Sequence, residues 1–482
     1  MKKTVCFLFG LLLIAMNVLA FAKSNCAPQS LANHKQEVLA CYLAEPENIK
    51  QPWVLESKQY DADHQVSIET YTLTSQTWPK SDLSKHSLLW KHSLIIYRPD
   101  VVKTEQALLF VEGGTRYANS LSNKAHFYLL DFNHIAAETH SVVIDLHDIP
   151  NQYLTFDDEK ARTEDSIVAY SWSSYMDNPD HNSYWPVHLP MTKAVIKAMD
   201  AVQQILAQNN KLKISHFVVA GASKRGWATW LAALSDQRIN AIVPIVIDIL
   251  NTKENIQHIY TSYNNNWPPA FHDYVDQRIP ERINTPEFDS LMRIEDPLTY
   301  LDCDNCDIYK KRLTLPKYII SASGDDFFVP DSLNLYLDRL PGETQIRVVP
   351  NQSHYIDMKI VEGALLTYYL TILNHTTRPS LKWEINKAGE LKNVITDKKP
   401  MSVRLWEAEN PNARDFRLAA KITYSAKELK GDCDHNHCLY PVTVAAPAKG
   451  WKASFVEVYF QQAQGDSLVL TTSTYINGHS MG

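Results

Sequence analysis

Residues 215–234 read SHFVVAGASKRGWATWLAAL, and this stretch decides the fold. An apolar run, Phe217-Val218-Val219-Ala220, is followed by Gly221-Ala222-Ser223 and then at once by an alanine-rich helical pattern. A strand, a tight turn and a helix in that succession form the setting of a nucleophile elbow. Gly221 leaves room for a sharp turn. The turn throws the Ser223 hydroxyl out above the C-terminal edge of a sheet. The helix start then offers free N–H groups and a partial positive charge to any oxyanion formed there, with the Lys224 N–H as the first donor. The commoner pattern, G-x-S-x-G, has glycine two positions after the serine; here that position is Arg225, and Gly226 comes next. The plain alternative is a serine capping a helix.

Outward from the elbow, short apolar runs alternate with helical patterns between about residues 65 and 375. Strands are expected at 92–97, 107–111, 141–146, 215–220, 241–247, 317–322 and 344–349, and helices at 187–207, 224–235, 331–339 and 357–374. Several of the strands are unbroken Val/Ile/Leu runs, as befits strands buried on both faces. The expected class is α/β: an α/β-hydrolase-like, mostly parallel sheet with helices on both faces. Two long, aromatic-rich connections, about 148–186 and 248–316, read as cap insertions. After residue 375 the helical period disappears. Runs such as SVRLWEA and SFVEVYF predict a C-terminal β-sandwich over 376–482.

A serine nucleophile needs a base and a group to orient it, in the chain order Ser, Asp or Glu, His for this fold. After 317–322 comes Ser323-Gly324-Asp325-Asp326-Phe327-Phe328-Val329-Pro330. Both Asp325 and Asp326 fit the acid's place, and spacing to Pro330 leans to Asp326. After 344–349 comes Pro350-Asn351-Gln352-Ser353-His354, which puts His354 where a general base belongs. A second oxyanion donor is expected from Gly113-Gly114-Thr115, where two glycines let backbone N–H groups approach a carbonyl oxygen, with Glu112 where lipases carry histidine. Arg116 and Arg225 are candidates to clamp a substrate carboxylate, against the plainer reading of ion pairs to acids of the cap. No P-loop, G-x-G-x-x-G or H-E-x-x-H occurs, so nothing calls for a nucleotide, a cofactor or a catalytic metal.

The chain has 482 residues, 45% hydrophobic and 21% charged, which is globular composition and long enough for two domains. A formal charge of −7 with no long Lys/Arg run argues against a nucleic-acid partner. Residues 1–22, MKKTVCFLFGLLLIAMNVLAFA, have a basic start, an apolar stretch and Ala20-Phe21-Ala22, which together read as a cleaved bacterial signal peptide and a periplasmic or secreted protein. A mature chain from residue 23 to 375 then carries the hydrolase-like domain, with no stable membrane insertion. Its six cysteines fit disulfides, and the local choice is Cys26–Cys41, Cys303–Cys306 and Cys433–Cys438. The Cys433-Asp434-His435-Asn436-His437-Cys438 run is too compact to wrap a tetrahedral zinc, and a hairpin-tip disulfide is preferred.

Longer stretches carry a resemblance. The G-x-S-[KR]-x-G variant resembles the elbow of glucuronoyl and some acetyl-xylan esterases. LLFVEGGTRY, VVIDLHDIPNQ, YSWSSYM, WPVHLPMTKA, GASKRGWATWLAA, SASGDDFFVPDS, LPGETQIRVVPNQSHY and LWEAENPNARDFR together resemble the PhoPQ-activated pathogenicity-related protein family across about residues 90–460. The resemblance implies export, a hydrolase-like core and a link to envelope stress or virulence, and it favours Asp325 where spacing favours Asp326. Two functions compete. One is a serine hydrolase acting on a small-molecule, glycan-ester or peptide substrate. The other is a catalytically inactive scaffold of the same fold that binds an envelope, peptide or glycan partner.

Overall fold

The computed structural model describes residues 26–115, 130–303, 306–387, 389–435 and 437–478. The leader read at 1–22 and the candidate clamp Arg116 lie outside them. Among the described residues nine strands form one sheet: β1 (Trp53–Asp61), β2 (Val66–Trp78), β3 (Leu88–Pro99), β4 (Gln106–Val111), β5 (Val142–Leu146), β6 (His216–Ala222), β7 (Ile239–Ile245), β8 (Lys317–Ala322) and β9 (Thr344–Val349). Their spatial order is β1-β2-β3-β5-β4-β6-β7-β8-β9. The run β5-β4-β6-β7-β8-β9 is parallel, and β1, β2 and β3 add an antiparallel wing.

The strand period of two sorts the apolar side chains onto two faces. Ala107, Leu109, Val219, Ile242 and Ile319 pack on one face against α3 (His188–Asn210) and α4 (Lys224–Ser235). Leu108, Phe110, Val218, Val243 and Ile320 pack on the other, with Phe132 and Ile135 of α1 (Phe132–Thr139) and Leu365 and Tyr369 of α7 (Met358–Leu373). Every residue of β4, β5 and β8 is buried, which explains their unbroken apolar runs. The helix expected at 331–339 is instead two 3₁₀ turns, Ser332–Leu335 and Leu337–Arg339. Tertiary contacts win over helical period there. Asn334 bonds the Thr474 carbonyl at 2.8 Å, and Tyr336 is drawn inward to Asp248 at 2.9 Å.

The long connections at 148–186 and 248–316 meet over the elbow. The first carries α2 (Glu164–Asp177), and the second carries α5 (Thr252–Ser262) and α6 (Pro286–Glu295). Trp172 of α2 lies edge-on to Phe288 of α6 at 6.2 Å and to Trp227 of α4 at 5.6 Å, and Tyr175 bonds Ser290 at 2.7 Å.

Beyond α7 the chain makes two antiparallel sheets. One is built from Leu381–Ile385, Leu391–Thr396, Asp432–Asp434 and His437–Pro441. The other centres on Ser402–Asn410 paired with Trp451–Phe460. Leu391 and Val394 of the first share a buried cluster with Val403, Leu405 and Val456 of the second. This part rests on the β8–β9 edge: Tyr318 bonds the Val469 carbonyl at 2.6 Å, and Val348 bonds Thr471 at 2.9 Å. The three local disulfides, Cys26–Cys41, Cys303–Cys306 and Cys433–Cys438, are formed. Such bridges suit a protein that matures in an oxidising compartment. Cys433 and Cys438 sit opposite each other across a hairpin, which explains the compact spacing. No helix of the described residues is long and apolar enough to cross a membrane.

Candidate active site

Ser223 stands between β6 and α4 at φ 56° and ψ −131°, a strained backbone for a residue with a Cβ. Its N–H donates to the Ile245 carbonyl at 2.8 Å, and its carbonyl accepts from Trp227 N–H at 3.1 Å. A Cβ on Gly221 would stand 2.9 Å from the Arg225 backbone. A Cβ on Gly226 would stand 2.8 Å from the Gly221 carbonyl oxygen and 2.8 Å from Ile247. The glycine that lets the helix pack close to the strand therefore sits three places after Ser223. This explains how the turn tolerates an arginine at 225.

Asp325 and His354 come from the loops after β8 and β9. His354 Nδ1 lies 2.9 Å from Asp325 Oδ2 and 3.1 Å from Oδ1, and both side chains are buried. Asp325 is held from behind: its Oδ1 accepts the N–H groups of Phe327 at 2.7 Å and Phe328 at 3.2 Å. The two loops are laced together by Gly324 N–H on the Gln352 carbonyl and Asn351 N–H on Ser323 Oγ. Leu418, from the C-terminal part, donates its N–H to the Gly324 carbonyl at 3.0 Å. Among the described residues Asp326 makes no hydrogen bond to the imidazole; its carboxylate accepts the His354 backbone N–H instead. It is half-buried, and burial first, then the neighbouring Asp325, raises its carboxyl above the usual value. Of the two carboxylates left open by sequence, only Asp325 is brought to the ring.

The Gly113-Gly114-Thr115 loop follows β4. Its carbonyls are used structurally: Gly113 accepts Asp148 N–H at 2.9 Å, and Gly114 accepts Gln152 Nε2 at 2.8 Å. Arg225 runs beneath it, so close that a Cβ on Gly113 would stand 2.7 Å from Nη2. The guanidinium donates to the Ile149 carbonyl at 2.5 Å and to Glu164 at 2.6 Å. Lys224 Nζ lies 2.8 Å from Glu164 and 3.1 Å from Asp165. Burial alone would raise the Glu164 carboxyl, but Arg225 and Lys224 hold it well below the usual range. Arg225 is thus committed to a cap acid and to the loop, as the plainer reading has it, rather than extended toward a substrate carboxylate.

Ser223 and Lys224 line a narrow cavity, about 40 Å³ of water-accessible space, roofed by the cap. Phe327 lines it too, and its ring lies 4.6 Å from that of His354. Among the described residues no hydrogen bond joins Ser223 Oγ to His354 Nε2. Residue-by-residue reading left three neighbouring groups unassigned, having named only Glu112 among them. Glu112, Asp145 and His147 offer ligand-type atoms within 4.8 Å of one another beside the glycine loop. His147 is bonded to Asp145 at 2.5 Å; burial lowers the ring's proton affinity, but Asp145 outweighs it and the ring reaches about 9. His188 and Glu295 form a second buried pair in the cavity wall.

Asp248 is the third group missed. It follows β7, is buried, and accepts from Tyr336 OH at 2.9 Å. Burial, with some repulsion from Asp325, pushes its carboxyl up to about 6. An acid whose folded value exceeds its unfolded value of ~3.9 favours folding below that value, and the contribution is lost as pH rises through about 6. Asp248→Asn is therefore expected to gain stability relative to the parent between pH 4 and pH 8, by up to about 3 kcal/mol. Urea unfolding at the two pH values checks this, and an equal difference at both contradicts it.

The PhoPQ-activated pathogenicity-related protein family matches residues 39–417, which include the elbow, the glycine loop and the acid and base loops. The chain belongs to that family. It is 33% identical over 440 residues to autocrine proliferation repressor protein A of Dictyostelium discoideum, covering 84% of each chain. Among solved structures, this family member is similar to acetyl xylan esterase 1 from Thermoanaerobacterium sp. JW/SL YS485, at 12% identity and TM-score 0.44, over 71% of this chain and 93% of the other. It is also similar to a glucuronoyl esterase from Solibacter usitatus, at 13% identity and TM-score 0.44, over 72% of this chain and 93% of the other. Likeness at that level leaves activity and substrate to the residues of this chain.

Proposed function

We propose that this protein is an exported serine hydrolase, esterase-like, acting through Ser223, His354 and Asp325. The observation that carries the reading is the strained Ser223 at the start of α4, on the wall of a cavity whose Phe327 packs on the Asp325–His354 pair. In the reaction Ser223 Oγ attacks an acyl carbonyl, and His354 Nε2 takes its proton and later returns it to the leaving group. Asp325 holds Nδ1–H and so keeps Nε2 directed outward. The N–H of Lys224, with those of the Gly113-Gly114-Thr115 loop, receives the oxyanion. Catalytic hydrogen bonds are often long before substrate arrives, which accommodates the unmade Ser223–His354 bond. The cavity is small and largely apolar, which favours a small-molecule or glycan-linked ester over a peptide. The disulfides support export, and the family's name links the protein to PhoPQ activation and pathogenicity.

Hydrolysis of 4-nitrophenyl acetate tests this. Ser223→Ala and His354→Ala are each expected to lower kcat/KM by about 10³-fold or more, and the double variant to be no worse than either. Activity surviving Ser223→Ala contradicts the assignment. A second reading, a binding scaffold without turnover, draws on the missing Ser223–His354 bond and predicts no hydrolysis by the parent.

A further inference from the structure

The C-terminal part also reaches the loops that carry the acid and the base. Its connection at 411–424 leaves the strand Ser402–Asn410 and enters the strand Ser425–Glu428. Phe416 and Tyr424 root it, both buried, and the Tyr424 ring lies 5.6 Å from that of Phe455. From there it ties three segments around the proposed site. Arg414 bonds Ser262 of α5 at 2.7 Å and pairs with Asp331, at the end of the acid loop. Leu418 N–H meets the Gly324 carbonyl, one residue before Asp325. Tyr424 meets Asn351, three residues before His354.

The last contact is two-pronged. Asn351 Nδ2 donates to the Tyr424 carbonyl at 3.0 Å, and its Oδ1 accepts the Tyr424 N–H at 2.7 Å. The side-chain amide pairs with the Tyr424 backbone as a neighbouring strand would. The Asn351 N–H donates to Ser323 Oγ at 2.8 Å, two residues before Asp325. Its backbone follows Pro350 at φ 56°, a left-handed conformation that asparagine tolerates better than most residues with a Cβ. Gly324 is packed as closely: a Cβ there would stand 2.9 Å from the Leu418 nitrogen and 3.0 Å from the Gln352 carbonyl oxygen. Asn351 therefore fastens the base loop to the acid loop on one side and to the C-terminal part on the other.

We infer that Asn351 is a positioning residue for His354, through which the 411–424 connection holds the general base in place. This rests on the reading of Ser223 and His354 as nucleophile and base, and it gives the C-terminal sheets a part in the reaction. Ser223 is held between β6 and α4, whereas Asp325 and His354 sit on the loops after β8 and β9. Where that pair stands relative to Ser223 depends on what grips those loops. A misplacement of about 1 Å in such a group costs roughly 10²-fold in rate.

Asn351→Gly keeps the left-handed turn and deletes both bonds to Tyr424. It is expected to lower kcat for 4-nitrophenyl acetate by about 10²-fold. Rates are divided by the number of sites that a fluorophosphonate probe labels at completion. A merely misfolded fraction then lowers the number of sites and leaves kcat per site alone. Leu418→Pro stands at the start of a 3₁₀ turn, where proline fits, and removes the donor to the Gly324 carbonyl. It is expected to lower kcat per site by about tenfold. A kcat per site in Asn351→Gly within about threefold of the parent overturns the inference. Hydrogen exchange needs no turnover. In Asn351→Gly the peptides spanning 323–328 and 350–357 are expected to exchange about tenfold faster than in the parent, with 216–230 unchanged. That result supports the grip on the two loops even if Ser223 proves not to be a nucleophile, and equal exchange overturns it.

Discussion

Asp325→Asn is expected to lower kcat for ester hydrolysis by about 10⁴-fold, while Asp326→Asn changes it by less than about tenfold. The two residues are adjacent and chemically identical, so the contrast isolates geometry. Asp325 receives His354 Nδ1 at 2.9 Å and is braced by two backbone N–H groups. An asparagine there can hold the ring in the wrong tautomer, with Nε2 carrying the proton and unable to act as base. Asp326 bonds the His354 backbone N–H rather than the ring, a contact an asparagine oxygen can keep. Steady-state rates of both variants decide the matter, and equal losses, or a larger loss at Asp326, contradict the assignment.

Arg225→Ala is expected to destabilise the protein by about 1–3 kcal/mol, because the partly exposed Glu164 loses its nearer cation while keeping Lys224, and the Ile149 carbonyl loses its donor. It also removes the side chain that lies beneath Gly113 and bonds the Ile149 carbonyl, so the glycine loop proposed to hold the oxyanion loses its floor. Arg225→Met/Glu164→Gln is expected to recover most of the stability while still lowering kcat. Urea midpoints and steady-state rates separate the two effects. A stable Arg225→Ala variant with a raised KM and an unchanged kcat argues instead for an arginine that binds substrate directly.

The elbow is legible in sequence because every part of it is local: an apolar run, a glycine, a serine and an alanine-rich helix start lie within a few residues. His354 is legible for a related reason, since chain order and strand ends place it. The choice between Asp325 and Asp326 is not, because a shift of one residue reverses which carboxylate faces the ring. The role of Arg225 depends on Gly113 and Glu164, which approach it only after folding. His188 and Glu295 are separated by 107 positions and meet only where the cap closes on α3. Of the antiparallel wing, β3 is legible as the run at 92–97, whereas β1 is not, because it is largely exposed and lacks the apolar run that marks β4 to β8. The composition change after α7 did signal the C-terminal sheets, since those strands alternate between a buried and a solvent-facing side.

The chemistry proposed for this site depends on Ser223 being an activated nucleophile. The most direct measurement is mass spectrometry of peptides from the protein after exposure to a fluorophosphonate probe. A single covalent adduct on Ser223 is expected, formed quickly in the parent, slowed by about 10³-fold or more in His354→Ala and absent from Ser223→Ala. A folded parent that acquires no adduct, or acquires it on another residue, would contradict it.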